Sequence, residues 1–269
     1  MKPKYFIHQP SKELSAYVQC YWVTETNGSD AEQTDEQICF PLGMVDWIIQ
    51  TNGDNHFCAF DLDGNEFPKN YIVGIMSEPV KWKMRGSARL IGIRFKPEGM
   101  LKLFKIPLKE LVNQSVPTEY LMKKEAEFLR EKLLSCEGDV SKMIIIIEEY
   151  LLNRLSKTVE QNAYFVQTLN KIRSKSQTFQ KREIVDNFYL CDRQVQRLFK
   201  ENLGVSPKTY EKIVRFSQVL GTLKYEDNFG SWAGLAQQVG YSDQAHMIRD
   251  FKRFCGNTPT TINKEFIFC

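Results

Sequence analysis

From residue 17 to residue 95, apolar and polar positions alternate in short runs broken by turn signals. Aromatic and β-branched residues fill residues 17–24, 45–50, 56–62, 71–75, 80–84 and 90–95, which predicts six strands. Asn52-Gly53, Asp63-Gly64 and Arg85-Gly86 supply turns between them. Short strands at this spacing predict an antiparallel sandwich or barrel. At Pro97-Glu98-Gly99 the period changes to that of helices, expected over 100–104, 118–134, 139–155 and 164–173, with Asp139 or Ser141 capping the third. Ser174-Lys175-Ser176-Gln177-Thr178 reads as a linker. The fold class expected is α+β: a β sandwich or barrel-like unit to about residue 96 with helices after it, then an all-α unit. The boundaries are 1–175 for the first unit with its helices and 176–269 for the helical one.

The helical unit contains an internal repeat. Residues 183–200 and 234–252 each read as a short helix, a turn and an amphipathic helix. Val185 and Phe188 match Ala236 and Val239; Val195, Arg197, Phe199 and Lys200 match Met247, Arg249, Phe251 and Lys252, with one residue added in the second turn. In the first copy Val195, Leu198 and Phe199 form an apolar face expected to dock on Ile184 and Phe188. Arg193, Gln196, Arg197 and Lys200 fall at i, i+3, i+4 and i+7, a continuous polar stripe. In the second, Met247, Phe251 and Phe254 face inward while Gln244, Ala245, Arg249 and Lys252 lie opposite, with His246 at the edge. Arginine can donate a bidentate pair to guanine and glutamine to adenine, so both stripes suit a major groove. Ser242 or Asp243 is placed to cap the second helix and leave its N-terminus toward a backbone phosphate.

Charge adds a little to this picture. The net charge is +3, and from Ser176 onward there are thirteen Lys/Arg against ten Asp/Glu, so the whole excess lies in the last third. The seven cysteines are scattered, without Cys-x-x-Cys or zinc spacing, and only three histidines are present, so no metal site is expected. No apolar run approaches the roughly 18 residues that span a bilayer, and no signal region follows Met1, which predicts a cytoplasmic chain with no membrane partner.

Three segments together resemble the AraC family of bacterial transcription regulators over residues 176–266. They are Arg-Gln-Val-Gln-Arg-Leu-Phe-Lys at 193–200, Leu-Gly-Val-Ser-Pro at 203–207 with Tyr210, and the stretch from Leu235-Ala236 through Gly240-Tyr241-Ser242-Asp243. His246, Arg249, Phe251 and Gly256-x-Thr-Pro259 extend the last of these. The resemblance implies a helix from about Pro207 to Leu223 that joins the two units rigidly. Each recognition helix then enters one of two successive major-groove segments, about 34 Å apart. The first unit departs from the family pattern at Val185, Tyr189 and Cys191, and Met247 replaces a frequent aromatic in the second.

The first half resembles the domains that precede such units, through Tyr21-Trp22, residues 41–47 and residues 92–97. The implied role is to sense a small molecule or to dimerise. Trp22, Asp46, Trp47, Trp82 and Arg94 are the candidate pocket residues, with Arg94 offered to an anionic ligand. Asp61-x-Asp63-Gly64-Asn65 has the opening of a calcium loop but sits between strands, so a hairpin turn is expected. No nucleophile elbow, phosphate-binding glycine loop or His/carboxylate cluster is present, so no catalytic residue or cofactor is assigned. The partners expected are double-stranded DNA, a small-molecule effector, a second copy of the chain and RNA polymerase. The alternatives are a DNA-binding module fused to an enzymatic first half, or a first half that only binds proteins.

Overall fold

The computed structural model describes residues 1–52, 58–122, 124–158, 163–174, 192–226 and 228–262. Nine strands come first: β1 (Lys4–His8), β2 (Val18–Thr26), β3 (Gln37–Cys39), β4 (Val45–Gln50), β5 (Ala59–Asp61), β6 (Asn70–Val73), β7 (Val80–Met84), β8 (Ala88–Phe95) and β9 (Ser115–Pro117). They form a six-stranded antiparallel sheet in the order β1-β2-β8-β4-β6-β9 and a three-stranded one in the order β3-β7-β5. β4 and β7 coincide with the runs at 45–50 and 80–84, while β1, β3 and β9 add to the six strands expected. All three additions are short edge strands, and β1 is largely exposed, so none carries the half-buried alternation that marks a strand.

Alternation along a strand sends neighbouring side chains to opposite faces. Val23, Trp47, Ile49, Ile91, Ile93 and Phe95 point to one face of the large sheet. There they meet α1 (Pro97–Phe104), α3 (Lys124–Leu134) and α4 (Val140–Leu155), which contribute Leu103, Leu129, Leu133, Ile147 and Leu151. Cys20, Trp22, Ile48, Tyr71 and Leu90 point to the other face, toward Ala59 and Met84 of the small sheet. Because both faces are covered, β4 is buried along its whole length. Over the helix expected at 118–134 the described residues form α2 (Glu119–Met122) and α3. Asp139 caps α4, its carboxylate accepting from the Lys142 N–H at 3.1 Å. The Asp61 carboxylate accepts from the N–H groups of Asp63 and Asn65 and from the Asn65 amide, with Gly64 at φ +87°. Those bonds make a tight turn.

Helix α5 (Ala163–Arg173) leads to the last third: α6 (Asp192–Leu203), α7 (Pro207–Tyr225), α8 (Trp232–Gln238) and α9 (Gln244–Cys255). Ile184, Val185, Phe188, Tyr189 and Cys191, and the linker from Lys175 on, lie outside the described residues. Helix α7 starts with Ser206 as N-cap and Pro207 in the first turn, and nine of its residues are buried. It packs against the first half through Phe216 on Phe40, with ring centroids 6.2 Å apart. Phe165 of α5 meets Phe199 of α6 at 5.6 Å. A polar joint sits beside them. The Arg173 guanidinium pairs with the buried Glu98 of α1 and donates to the Tyr210 hydroxyl of α7 at 3.3 Å. Tyr210 in turn donates to the Gly43 carbonyl at 3.3 Å. Burial pushes the Tyr210 pKa up to about 12, so it remains a donor at neutral pH. Among the described residues, no helix is long and apolar enough to cross a membrane.

Candidate nucleic-acid interface and cavity

The second helix-turn-helix unit is fully described. Ser231 caps α8, accepting from the Gly234 N–H at 3.0 Å. The chain then turns at Gly240, whose φ of +82° suits a residue without Cβ. The Tyr241 N–H returns to the Ala236 carbonyl at 2.8 Å. Asp243, rather than Ser242, is the N-cap of α9, and its carboxylate accepts from the His246 N–H at 2.7 Å. That bond, helped by the Ser242 hydroxyl, holds the Asp243 carboxyl below its ordinary pKa. Met247, Phe251 and Phe254 are buried, as the apolar period requires. Gln244, Ala245, Arg249 and Lys252 are exposed and His246 is half-buried, so the expected polar side faces solvent.

Helix α7 holds this unit from behind. Phe216 packs on Phe251 and Phe254 at 5.1 and 5.3 Å. Arg215 donates to the Gly240 carbonyl at 2.7 Å and lies over the Tyr241 ring. Lys212 pairs with buried Asp250 at 2.9 Å. These three polar anchors escaped the sequence reading, because an Arg or Lys on a long helix looks like solvent-facing charge until its partner is placed. Arg253 is a further exposed cation on α9 that the stripe did not include.

In the first unit, Val195, Phe199 and Leu203 of α6 are buried and Leu198 is half-buried. Arg193, Gln196, Arg197 and Lys200 are all exposed. Phe199 packs on Tyr210 of α7 at 6.1 Å, so the same helix anchors both units. Lys200 also closes its own helix end, donating to the Gly204 carbonyl at 3.0 Å.

A second feature lies between the two sheets, a mainly apolar cavity of about 320 Å³. Trp22, Asp46, Trp82 and Arg94 line it together. Trp47 does not. It follows Asp46 on β4 and therefore points to the opposite face, where it is wholly buried against Phe104 and Tyr150. Arg94 sits directly across from Asp46 and pairs with it through two nitrogens, at 3.0 and 3.1 Å. Burial works against the Arg94 charge, but the facing carboxylate carries its pKa above the ordinary value. The guanidinium expected to meet an anionic ligand is thus already matched within the protein. Tyr5, Phe67, Tyr71 and Lys224 also line the cavity. Lys224 comes from the end of α7, a long-range neighbour that no local pattern reveals.

Residues 185–265 match a helix-turn-helix domain family, and residues 7–117 match a domain of unknown function, DUF6597. The last third is an AraC-type DNA-binding domain. Such a domain supports a DNA-binding transcription regulator. No curated protein matches it. Among solved structures, it is similar to a probable AraC family transcriptional regulator from Rhodopseudomonas palustris CGA009. That alignment has 19% identity and a TM-score of 0.33, and covers 36% of this chain and 92% of the other. It is also similar to ToxT from Vibrio cholerae, with 10% identity, a TM-score of 0.45 and 100% of both chains covered. The xylose-binding transcription activator XylR aligns at 16% identity and a TM-score of 0.32, over 48% of this chain and 38% of that one.

Proposed function

We propose that this protein binds a specific DNA site through α6 and α9, and that its first half, residues 1–175, adjusts that binding in response to a small molecule. The observation that carries the reading is the pairing of two amphipathic helices on one rigid helix. Both α6 and α9 bury their apolar side against α7 and leave Arg, Gln and Lys outward. Arg193, Gln196, Arg197 and Lys200 serve one groove segment; Gln244, Ala245, His246, Arg249 and Lys252 serve the next. The C-terminal domain, residues 176–269, then reads DNA as a single copy. The cavity supports the effector role because its wall includes Lys224 of α7, so an occupant touches the helix that sets the spacing of the two readers. The exposed Tyr120, Phe128 and Ile145 of the helical layer are apolar side chains that a second copy could cover. RNA polymerase and a cytoplasmic location complete the reading, which calls for no catalytic step.

Selection of bound duplexes from a random library by the full chain tests it. The expected result is an enriched site with two sub-sites about one helical turn apart, bound less tightly as salt rises. Failure to enrich any sequence would remove the proposal.

A further inference from the structure

We infer that the cavity between the two sheets takes a molecule with a flat ring system, which stacks on the indole of Trp22. This rests on the cavity being the effector site and names the class of effector.

Strands β2, β8 and β4 are neighbours, and Gly92 of β8 stands directly opposite both Trp22 of β2 and Ile48 of β4. The Trp22 indole occupies the space that a side chain at position 92 would need. A Cβ there would fall 1.9 Å from Cε2, 2.2 Å from Cζ2 and 2.4 Å from Nε1. The indole N–H then meets Asp46 Oδ1 on β4 at 3.4 Å. A ring system rooted on β2, passing over β8 and ending at β4 must lie along the sheet, since it crosses strands spaced by about 4.8 Å. A ring lying so on the Gly92 backbone has its other face toward the space between the sheets, where Trp22 is among the residues that line the cavity.

Three features keep the platform in place. Glycine has no Cβ to tilt the ring. Asp46 holds the pyrrole edge, and Arg94 holds Asp46 by its two-point pair. Beyond Ile48 in the same cross-strand row stands Tyr71, stacked on Phe67 with centroids 5.6 Å apart and planes within 9°. Trp82 lines the cavity from the small sheet. On this floor the charges of Asp46 and Arg94 answer each other, so the floor itself favours flatness and polarisability, with Lys224 a cation in the wall. The volume, about 320 Å³, is at the lower end for small-molecule sites, roughly 300–1,000 Å³.

The test compares 1-naphthol with decahydro-1-naphthol, the same carbon skeleton without flatness, by titration calorimetry on the full chain. 1-Naphthol is expected to bind at least about tenfold more tightly than the saturated alcohol. Trp22→Leu should abolish that preference, while Trp22→Phe, which keeps a ring, should retain part of it. Far- and near-ultraviolet circular dichroism of each variant reports whether it has folded. Gly92→Ala, which pushes the indole off the sheet, is the second variant should Trp22→Leu not fold. Equal binding of the two alcohols, or a preference that survives Trp22→Leu, would overturn the ring class and leave the effector cavity standing. Binding by neither alcohol, with no compound of a metabolite library raising the melting temperature, would remove the cavity reading as well.

Discussion

A side chain's meaning here depends on what lies within a few ångströms of it. Arg249 and Arg215 are both arginines on amphipathic helices, yet one is exposed on α9 and the other donates to the Gly240 carbonyl. Arg249→Ala is therefore expected to weaken the specific site by roughly tenfold to a hundredfold and relax preference at one or two base pairs. Lys252→Ala should weaken all duplexes more evenly. Electrophoretic mobility on the selected and on random DNA separates the two; equal losses for Arg249→Ala would make it a phosphate contact. Asp243 makes a second prediction, about pH. Its carboxyl pKa is lowered by the His246 N–H, so the stability it adds is complete above its unfolded value, about 3.9, and is lost as pH falls through the lower folded value. Asp243→Asn caps without titrating, so it should flatten the acid sensitivity of α9 below about pH 4 in circular dichroism. An unchanged acid profile would take Asp243 out of that transition.

Among the elements, α7 has the most to hold. It presents Tyr210 to α6, Phe216 to α9 and to Phe40, and Arg215 to the turn before α9. Arg215→Met keeps much of the packing volume but leaves the Gly240 carbonyl without its charged donor. A stability loss of about 2 kcal/mol is expected, from the usual worth of a hydrogen bond to a charged group. Because the turn sets the angle of α9, affinity should fall at the second sub-site and not at the first. Thermal melts combined with binding to half-substituted operators measure both. Equal loss at both sub-sites would mean that Arg215 acts on the whole domain.

At the scale of the molecule, the two halves share one hydrophobic cluster and a polar joint at Arg173. Glu98 is 1% exposed, so Arg173→Ala leaves a buried carboxylate without its cation. The expected loss is about 3–5 kcal/mol, and the double change Glu98→Gln with Arg173→Met should recover most of it. Urea denaturation of the three chains decides; equal losses for the single and double variants would show that the pair is not the source. Assembly belongs to this scale too. Sedimentation is expected to give a dimer for the full chain and a monomer for the fragment from residue 176. A full-length monomer at micromolar concentration, with the fragment's DNA affinity, would remove regulation by the first half.

The sequence by itself determined what is local. The strand at 45–50 and the outward stripes of α6 and α9 follow from period, which needs only neighbours within a turn or two. Capping chemistry narrowed the helix starts to Asp139 or Ser141 and to Ser242 or Asp243, the structure chose Asp139 and Asp243, and the helix from Pro207 came from the family resemblance. Period 2 also places Asp46 and Trp47 on opposite faces of β4, so the two cannot line one pocket. Tertiary structure alone decided the rest. Trp22 lies flat because Gly92 stands opposite it, 70 positions along the chain, and the Arg94 charge is matched because Asp46 faces it from the adjacent strand. Lys224 reaches the cavity, and Arg173 ties Glu98 to Tyr210, only because the helical third docks on the sheet domain. Contacts of such long sequence separation leave no periodic trace, since each depends on two distant segments being brought within a hydrogen bond's length.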